Sequence, residues 1–230
     1  MLRLDQKSSE LDSASATSRP NLKQMTTRIP SATVARLPRY LRCLSDMAET
    51  ASGCSSEELA EVAGVNAAQV RKDLSYLGSH GTRGVGYDIG ELRAQIRKAL
   101  GMLNDHPVVI IGAGNLGTAL ANYGGFENWG FEIEAIVDVD EDKIGTRVDG
   151  LIVESLHRLP QIVKAKAIKI GIIATPPSAA QSAADRLIEA GVRSILNLAP
   201  TTLKTHEDVS VRRVDLSTEL GILAYHLNRP

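Results

Sequence analysis

The chain has 230 residues, enough for one large domain or two small ones, and 43% of them are hydrophobic, which permits a packed core. Only 3% are aromatic, so the core must be mainly aliphatic. No apolar run approaches the ~20 residues that span a bilayer, the first residues lack an apolar signal-peptide core, and Cys43 and Cys54 form no CxxC motif. These features predict a reduced, cytoplasmic protein, and the scattered histidines predict no metal site.

The formal net charge of −1 neither favours nor excludes nucleic acid, but the charges are unevenly distributed. Basic residues outnumber acidic ones between residues 65 and 100, whereas acidic residues prevail from residue 105 onward. This modest positive surplus indicates where a nucleic-acid surface would lie, without by itself predicting one.

Residues 1–27 are polar, rich in Ser and Thr and without periodicity, so we expect a disordered arm. The segment SATVARLPRYLRCLSDMAE then has apolar residues at three- and four-residue steps, which predicts a helix. Pro38 lies within it and would either break the segment or begin a second helix. The predicted buried stripe is Val34, Leu37, Leu41, Leu44 and Met47.

Two short capped helices are predicted next. In SSEELAEVAG, Ser55 and Glu58 have the spacing of a capping box and Gly64 has the place of a left-handed cap. In VNAAQVRKDLSYLGSHG, Asn66 is the predicted cap and Gln69 its capping-box partner. The expected inward faces are Leu59, Val62 and Ala63 in the first helix and Val70, Leu74 and Leu77 in the second. Two such helices joined by about three residues with a glycine form a helix-turn-helix.

The next residues predict a wing and a further helix. Glycines at 81, 84 and 86 suit a tight hairpin with Arg83 at its tip, and Tyr87 and Ile89 would return as a short strand. A helix-turn-helix followed by such a hairpin is a winged helix. The helix after it would bury Leu92, Ile96, Leu100 and Leu103.

The open face of the second short helix is the predicted DNA surface. Arg and Lys side chains can donate to guanine in the major groove, and Ser or Tyr can reach phosphates. Arg83 and Gly84 of the hairpin suit a minor groove. For Arg71 and Lys72 taken alone, the alternative is a charged helix face exposed to solvent. The capped helix before them and the wing after them favour DNA binding. The helix residues assigned to this surface are Gln69, Arg71, Lys72, Ser75 and Tyr76.

From Pro107 the pattern alternates between strands and helices, which predicts an α/β domain with a parallel sheet covered on both faces. The final segment, STELGILAYHLNRP, predicts a lone helix with Leu220, Leu223 and Leu227 on one face. That face must be buried on its own domain or on a partner subunit. The predicted strands are VVIIGAG, FEIEAIVDVD, AIKIGIIAT, VRSILNLAP and VSVRRVDL.

A dinucleotide-binding fingerprint lies at the start of this domain. Gly112, Gly114 and Gly117 form G-x-G-x-x-G between a strand and a helix, and Asp138 follows about 20 residues later. A carboxylate there would take the adenosine ribose hydroxyls and repel a 2′-phosphate, which favours NAD over NADP. Another adenosine cofactor, or none, is the alternative. We interpret Asp140 as solvated or capping a turn, and Lys143 as a surface lysine. The predicted loop contacts are Gly112, Ala113, Gly114, Asn115, Leu116 and Gly117.

Other candidates lie at the carboxyl ends of later strands. Thr175 and Pro176 follow one strand and should lie beside the ligand, and Asp215 closes another and is either a pocket carboxylate or a helix cap. A dehydrogenase also needs an acid or base near the nicotinamide. The candidates His157, His206 and His226 lack a supporting motif, so we predict no catalytic residues and no enzyme activity.

The sequence from about residue 29 onward resembles the redox-sensing transcriptional repressors called Rex. The resemblance rests on SSEELAEVAGVNAAQVRKDLSYLGSHGTRGVGY, VVIIGAGNLGTALANYGGF, VDVDEDKIG and ILNLAP. It implies a homodimer that binds palindromic operators with NAD⁺ or without ligand and dissociates with NADH. It further implies that Lys72 contacts bases, that Arg83 and Gly84 form the minor-groove wing, and that Tyr123 lies near the nicotinamide.

The resemblance also implies a switch and a domain division. Arg42 and Asp215 match a pair that links the DNA-binding and cofactor domains, and we expect Arg42, Tyr123 and Asp215 to distinguish NAD⁺ from NADH. The terminal helix matches one exchanged between subunits. We expect a disordered arm at 1–27, a winged-helix domain at 28–104, a Rossmann domain at 105–214 and a dimerisation helix at 215–230. An NAD-dependent oxidoreductase and a CoA-binding protein are the alternatives.

Overall fold

The computed structural model of the chain describes residues 29–79, 81–82 and 85–227, so the arm expected at 1–27 lies outside the described residues. The helices of the first half surround one buried apolar cluster, which includes Leu37, Leu44, Leu74 and Ile96. The elements are α1 (Ser31–Met47), β1 (Gly53–Cys54), α2 (Ser56–Ala63), α3 (Ala67–Ser75), β2 (Tyr87–Asp88) and α4 (Ile89–Ala99).

The capping residues position the two short helices. Ser55 and Glu58 form the expected reciprocal capping box at the start of α2, and Gly64 ends α2 with φ 61°. The Asn66 side chain accepts from the amide of Gln69 at the start of α3. Gln69 was wrongly predicted as a capping-box partner, because its side chain instead donates to Asp73.

Several other local predictions are corrected. Pro38 neither breaks α1 nor begins a new helix, since α1 runs through it. Val34 and Val62 are exposed rather than buried. Ile89 begins α4 instead of ending a strand, and Leu103 lies beyond α4 and is exposed. The short strand β1 was not predicted; it pairs antiparallel with β2 and thereby holds the base of the wing.

The second half is a doubly wound sheet. Among the described residues, seven strands lie in the order β5-β6-β4-β3-β7-β8-β9, parallel from β6 to β9, with β5 antiparallel at the edge. The order of the parallel strands is that of the dinucleotide-binding Rossmann fold, whose ligands bind at the carboxyl ends of the strands near β3. The strands are β3 (His106–Ile111), β4 (Phe131–Asp138), β5 (Arg147–Val148), β6 (Leu151–Ser155), β7 (Ile170–Ile173), β8 (Ser194–Asn197) and β9 (Ser210–Arg213).

The helices cover the two faces of the sheet unequally. Alternate residues of β3 point to opposite faces: Val109 and Ile111 lie in the cluster with α6 and α7, while Val108 and Ile110 lie in the cluster with α5. Among the described helices, none combines the length and apolarity needed to cross a membrane. The helices are α5 (Asn115–Ala121), α6 (Leu159–Ala165), α7 (Pro177–Glu189) and α8 (Leu216–Leu227), with short 3-10 helices at Glu127–Trp129 and Leu156–Arg158.

Strands β5 and β6 were absent from the predicted strands, although β6 belongs to the parallel sheet. They form a hairpin around Asp149 and Gly150, with φ of 46° and 78°. An Asp-Gly pair between two short apolar segments is a strong hairpin pattern, and it would have revealed them.

Candidate functional site

The loop from Gly112 to Gly117, here called the glycine loop, has the close packing that its three glycines predict. Gly112 has φ 105°, and a Cβ atom there would lie 2.6 Å from the Ala174 carbonyl oxygen. A Cβ on Gly117 would collide with the Gly112 carbonyl, so α5 can lie this close to β3 only with glycine at 117. A Cβ on Gly114 would meet open space. The loop therefore leaves room for a ligand beside Gly114.

A cavity of about 420 Å³ opens beside this loop. The carboxyl ends of β3, β4 and β7 supply its walls, as the topology requires. The Thr175 Oγ1 atom is buried at this end of β7 and has no hydrogen-bond partner among the described residues. Space beside a glycine loop and an unsatisfied hydroxyl both fit a polar ligand such as a dinucleotide. The lining includes Gly112, Gly114, Asp138, Lys143, Thr175 and Pro176.

The Asp138 carboxylate lines the cavity and already has several donors. Its Oδ2 accepts from the Ala113 amide at 2.7 Å, and its Oδ1 accepts from the amides of Val139 and Asp140 at 2.7 and 3.0 Å. Lys143 Nζ lies 3.4 Å from Oδ2. Burial opposes ionisation of this carboxyl, but the amides and the ammonium outweigh it and lower its pKa. Asp138 is therefore an anion inside the cavity.

The structure agrees with the prediction for Asp140 and disagrees with the prediction for Lys143. Asp140 caps the following turn, as one of its two predicted roles required, by accepting from the Asp142 amide. Lys143 lines the cavity instead of lying on open surface, because its ammonium contacts both Asp138 and Asp140. Its hydrogen bond to Asp140 and the charge of Asp138 raise the pKa of Lys143. The cavity thus holds a cation that sequence reasoning had assigned elsewhere.

The remaining predicted cofactor residues are not all brought together. Ala113 is buried in the glycine loop, and Asn115 and Leu116 begin α5. Tyr123 follows α5, is 58% exposed and packs edge-on against Phe126, outside the lining of the cavity. The Asp215 carboxylate also lies outside it.

Arg42 and Asp215, expected to link the two domains, form separate contacts within this chain. Asp215 accepts from Arg213 at 2.7 Å and from the amide and hydroxyl of Ser217, so it caps the start of α8. The hydroxyl of Ser217 and the guanidinium of Arg213 lower the pKa of Asp215. Arg42 Nε lies 3.8 Å from the carboxylate of Asp46 on α1.

The three histidines considered as catalytic candidates are exposed and lie outside the lining of the cavity. His157 lies in the short helix before α6, His206 lies in the segment before β9, and His226 lies near the end of α8.

The candidate DNA surface is the exposed side of α3. Lys72 and Ser75 are exposed, and no described residue lies within ion-pair distance of Lys72. Arg71 is exposed but paired, since it donates to Ser56 at 2.7 Å and to Glu57 at 2.8 Å. Tyr76 is half-buried at the end of α3. Gln69 points to Asp73, so it contributes to the surface less than predicted.

The wing lies across a polar cavity of about 500 Å³ from Arg71. Thr82 and Gly86 pair across the hairpin through two backbone hydrogen bonds of 2.8 and 2.9 Å. Arg83 and Gly84, the two residues assigned to the minor groove, lie outside the described residues. The described part of the wing has the tight hairpin form that its glycines predict.

Sequence reasoning missed a buried polar cluster between α1 and α3. Asp73 is fully buried and accepts hydrogen bonds from Thr33, Arg36, Tyr40 and Gln69. Burial opposes its ionisation, but these bonds outweigh it and lower the pKa of Asp73 to about 2. Thr33, Arg36 and Tyr40 recur at three- and four-residue steps on α1, the same spacing as the apolar stripe. Each lies one position before a residue of that stripe, so the polar residues bordering the stripe were the signal for the cluster.

Two family models match the chain, one in each half of the fold, and residues 76–103 lie between the two matches. Residues 28–75 match the model described as "Putative DNA-binding protein N-terminus". Residues 104–201 match the model described as "CoA binding domain". The first covers α1 to α3, and the second covers the sheet from β3 to β8.

Known proteins resemble the chain over most of its length. A "Redox-sensing transcriptional repressor Rex" from Streptomyces griseus subsp. griseus is 56% identical over 202 residues, 87% of this chain and 80% of that protein. The crystal structure of RSP in complex with beta-NAD⁺ and operator DNA is 38% identical, with a TM-score of 0.81 over 88% of this chain and 94% of that one. The crystal structure of RSP in complex with beta-NADH is 37% identical, with a TM-score of 0.80 over 88% and 95%.

Proposed function

The chain belongs to the Rex family of redox-sensing transcriptional repressors, and from this membership we propose that it represses transcription according to the ratio of NADH to NAD⁺. It binds palindromic operator DNA with NAD⁺ or without ligand and releases the DNA when NADH binds. One observation carries the proposal: a single chain joins an exposed helix-turn-helix surface to a cavity framed by a glycine loop and the Asp138 carboxylate.

For DNA, we propose that Lys72 donates to base edges in the major groove, with Ser75 and Tyr76 beside it. Lys72 suits this role because it is exposed and no described residue pairs with it. Arg71 must first break its ion pair with Glu57. It therefore suits a contact to a DNA phosphate that forms as the helix docks in the groove. The proposal keeps Gln69 as a peripheral contact and Arg83 and Gly84 as the minor-groove wing.

For the nucleotide, we propose that the glycine loop and the N-terminus of α5 hold the pyrophosphate and that Asp138 holds the adenosine ribose. Thr175 and Pro176 border the cavity nearby, and the unsatisfied Thr175 hydroxyl supports a polar ligand there. When bound, the nicotinamide supplies a charge that differs between NAD⁺ and NADH. We propose that this chain only binds the dinucleotide and does not turn it over.

We propose that Arg42, Tyr123 and Asp215 detect the difference in charge. A ligand shifts an equilibrium only by its differential affinity for two states, and the spacing of two winged helices must match the half-sites of a palindrome. Tyr123 is exposed, and the present partners of Arg42 and Asp215 are exposed neighbours on their own segments. All three can therefore rearrange without disrupting a buried core.

We further propose a homodimer in which α8 of each copy packs on the other. Every described residue of α8 is exposed, and the apolar stripe includes Leu216, Leu220 and Leu223. An apolar groove of about 320 Å³ lies on the sheet face against which α5 packs, lined in part by Val108, Phe131 and Ile172. A second groove shares Ser210 and Arg212 with it and is lined by Val34 and Pro38 of α1. An α8 helix from a second copy would cover both grooves and the exposed Val34.

The proposal retains the domain division at 28–104, 105–214 and 215–230. A repressor must meet its operator, so we also propose that the protein acts in the cytoplasm. An NAD-dependent oxidoreductase is disfavoured by the exposed histidines, none of which lines the cavity. A CoA-binding protein is disfavoured because CoA carries a 3′-phosphate on the adenosine ribose, which the Asp138 carboxylate would repel.

A mobility-shift experiment tests the function. A palindromic duplex is first selected by the chain from a random-sequence pool, and its binding is then measured with NAD⁺, NADH or CoA at equal concentrations. We expect NADH alone to weaken binding, by about tenfold or more, the range of typical allosteric coupling. Equal binding with all three ligands would contradict the proposal, and release by CoA alone would support the CoA-binding alternative.

A further inference from the structure

The guanidinium of Arg71, on α3, is held by two acceptors at the start of α2. Its Nη1 donates to the Ser56 hydroxyl at 2.7 Å and to the Glu57 carboxylate at 2.8 Å. The Ser56 hydroxyl in turn donates to the other oxygen of Glu57 at 3.0 Å. Ser56 is 7% exposed, whereas the side chains of Arg71 and Glu57 are more than half exposed. Ser56 therefore anchors the guanidinium from within the protein, while Glu57 neutralises its charge at the surface.

Arg71 and Glu57 both line the polar cavity of about 500 Å³ between the start of α2 and the wing, here called the wing cleft. The lining also includes Thr82 and Gly86 of the hairpin. In the proposed complex, α3 lies in a major groove and the wing in the adjacent minor groove. Adjacent grooves of a duplex are separated by one sugar–phosphate strand, so that strand passes over the wing cleft. Its phosphates are then the DNA groups nearest to Arg71 and Glu57.

The two glutamates of the wing cleft have different partners. Glu58 accepts hydrogen bonds from the amide and the hydroxyl of Ser55, so its carboxylate belongs to the cap of α2. The hydroxyl of Ser56 and the guanidinium of Arg71 lower the pKa of Glu57, so Glu57 is an anion at neutral pH. Glu57 and a DNA phosphate are therefore two anions that compete for the same cation.

We propose that Glu57 is a specificity-determining residue, which withholds Arg71 from DNA until α3 is fully docked on an operator. This rests on the proposed function, since it concerns the same DNA surface. On a duplex without the operator sequence, α3 lacks the base contacts that would dock it, and Arg71 stays paired with Glu57. On the operator, base contacts by Lys72 dock the helix, and a phosphate displaces Glu57. Withholding a favourable contact from non-operator DNA raises the ratio of the two affinities.

Removing the charge of Glu57 should therefore act mainly on non-operator DNA. Glu57→Gln keeps the size of the side chain and an acceptor oxygen, but it removes the anion that competes with a phosphate. Arg71 would then contact a phosphate of any duplex, and each such contact changes the slope of log affinity against log salt by about −0.9. We expect the slope for non-operator DNA to become steeper by about that amount. The slope for the operator should stay the same, because Arg71 already contacts a phosphate there.

The test measures both slopes by fluorescence anisotropy. One duplex is the operator selected by the chain, and the other is a shuffled duplex of the same length and composition. In about 0.1 M salt, Glu57→Gln should bind the shuffled duplex about five- to tenfold more tightly than the unaltered chain does, and its gain on the operator should be smaller. Glu61→Gln is the matched control, since it removes the same charge from an exposed position one turn further along α2. It should leave both slopes unchanged.

A double-mutant cycle shows whether Glu57 acts through Arg71. In an Arg71→Gln background, Glu57→Gln should no longer change the slope for the shuffled duplex. The proposal is overturned by an unchanged slope in Glu57→Gln, by an equal change in Glu61→Gln, or by an effect that persists without Arg71. Failure of NADH to release the operator would instead contradict the proposed function alone, and the slopes would still decide whether Glu57 restrains Arg71.

Discussion

Asp73 is a fully buried carboxylate on the helix that we propose to read DNA, and its partners hold that helix against α1. The Arg36 guanidinium donates to both of its oxygens, at 2.6 and 2.8 Å, and Thr33 and Tyr40 each donate at 2.8 Å. Burial, followed by the hydrogen bond to Asp73, raises the pKa of Tyr40 to about 12, so Tyr40 remains a donor at all physiological pH values. The orientation of α3 therefore depends on this cluster as well as on apolar packing.

Replacing Asp73 with Asn should destabilise the chain by about 3 kcal/mol, within the range for breaking a buried ion pair, because Arg36 would keep its charge without its anion. Asp46→Asn is the matched control on α1: it removes an exposed pair with a separation of 3.8 Å and should cost less than about 1 kcal/mol. Urea unfolding at neutral pH, followed by circular dichroism, compares the two. Similar losses in both variants would show that the Asp73 cluster contributes little.

The same carboxylate predicts acid sensitivity. The pKa of Asp73 falls from 3.8 to about 2 on folding, so the unfolded chain binds its proton first as the pH decreases. Its stabilisation is therefore complete above about pH 5 and is lost as the pH falls from about 4 to about 2. The difference in unfolding free energy between the unaltered chain and Asp73→Asn should narrow over that range, and a constant difference would contradict the assignment.

The role of a single residue was predicted correctly where that role depends only on residues close to it in the sequence. Ser55, Asn66 and Gly64 were predicted correctly because capping requires only a residue type at a fixed spacing. Asp73 was missed because its role comes from partners that the fold brings together, Arg36 being 37 positions away. The ion pairs of Lys143 are local, but its place in the cavity depends on the glycine loop, whose Ala113 lies 25 positions from Asp138.

Among the described α-helices, α8 differs most from the others, since every described residue in it is exposed. Burying each Leu or Ile side chain contributes about 1.5–3 kcal/mol, so a stripe of three leucines left in water is a strong force for association. The apolar groove on the sheet is the complementary surface. Sequence reasoning identified the apolar stripe but could not choose between its own domain and a partner. The exposure of every described residue of α8 favours the partner.

A charge on the stripe should therefore separate the subunits. Leu220→Asp should weaken dimerisation by at least about tenfold, or about 1.4 kcal/mol, because a carboxylate would have to be buried in the groove. Thr218→Asp is the matched control, since it adds the same charge to the opposite side of α8. Sedimentation velocity over a range of concentrations measures both. A dimer equally stable in the two variants would contradict packing of α8 on a second copy.

Across the sheet, the buried strands β3, β4, β7 and β8 were predicted because continuous apolar segments mark strands covered on both faces. The hairpin of β5 and β6 was missed because its strands are short and only partly buried. The order of the strands in the sheet was not predicted beyond the fold class. The order of the strands depends on the crossover connections between them, and no local sequence pattern determines those connections.

The proposed switch requires communication across the whole molecule, between the cavity at the sheet edge and the surface of α3. Phe131 at the start of β4 packs against both the helical cluster and the sheet cluster, and Trp129 packs against the helical one. The two halves therefore share apolar contacts within one chain. Helix α8 would add a second route of communication, through the partner subunit. Only the family resemblance indicated that route from the sequence.

The most direct test of this account measures operator binding while the NADH to NAD⁺ ratio changes and the total dinucleotide concentration stays constant. Fluorescence anisotropy of a labelled palindromic duplex reports the bound fraction. Once the pool exceeds both dissociation constants, the account predicts that binding falls as the ratio rises, with the same midpoint ratio at two different pool sizes. Binding that ignores the ratio, or that follows only the total concentration, would contradict it.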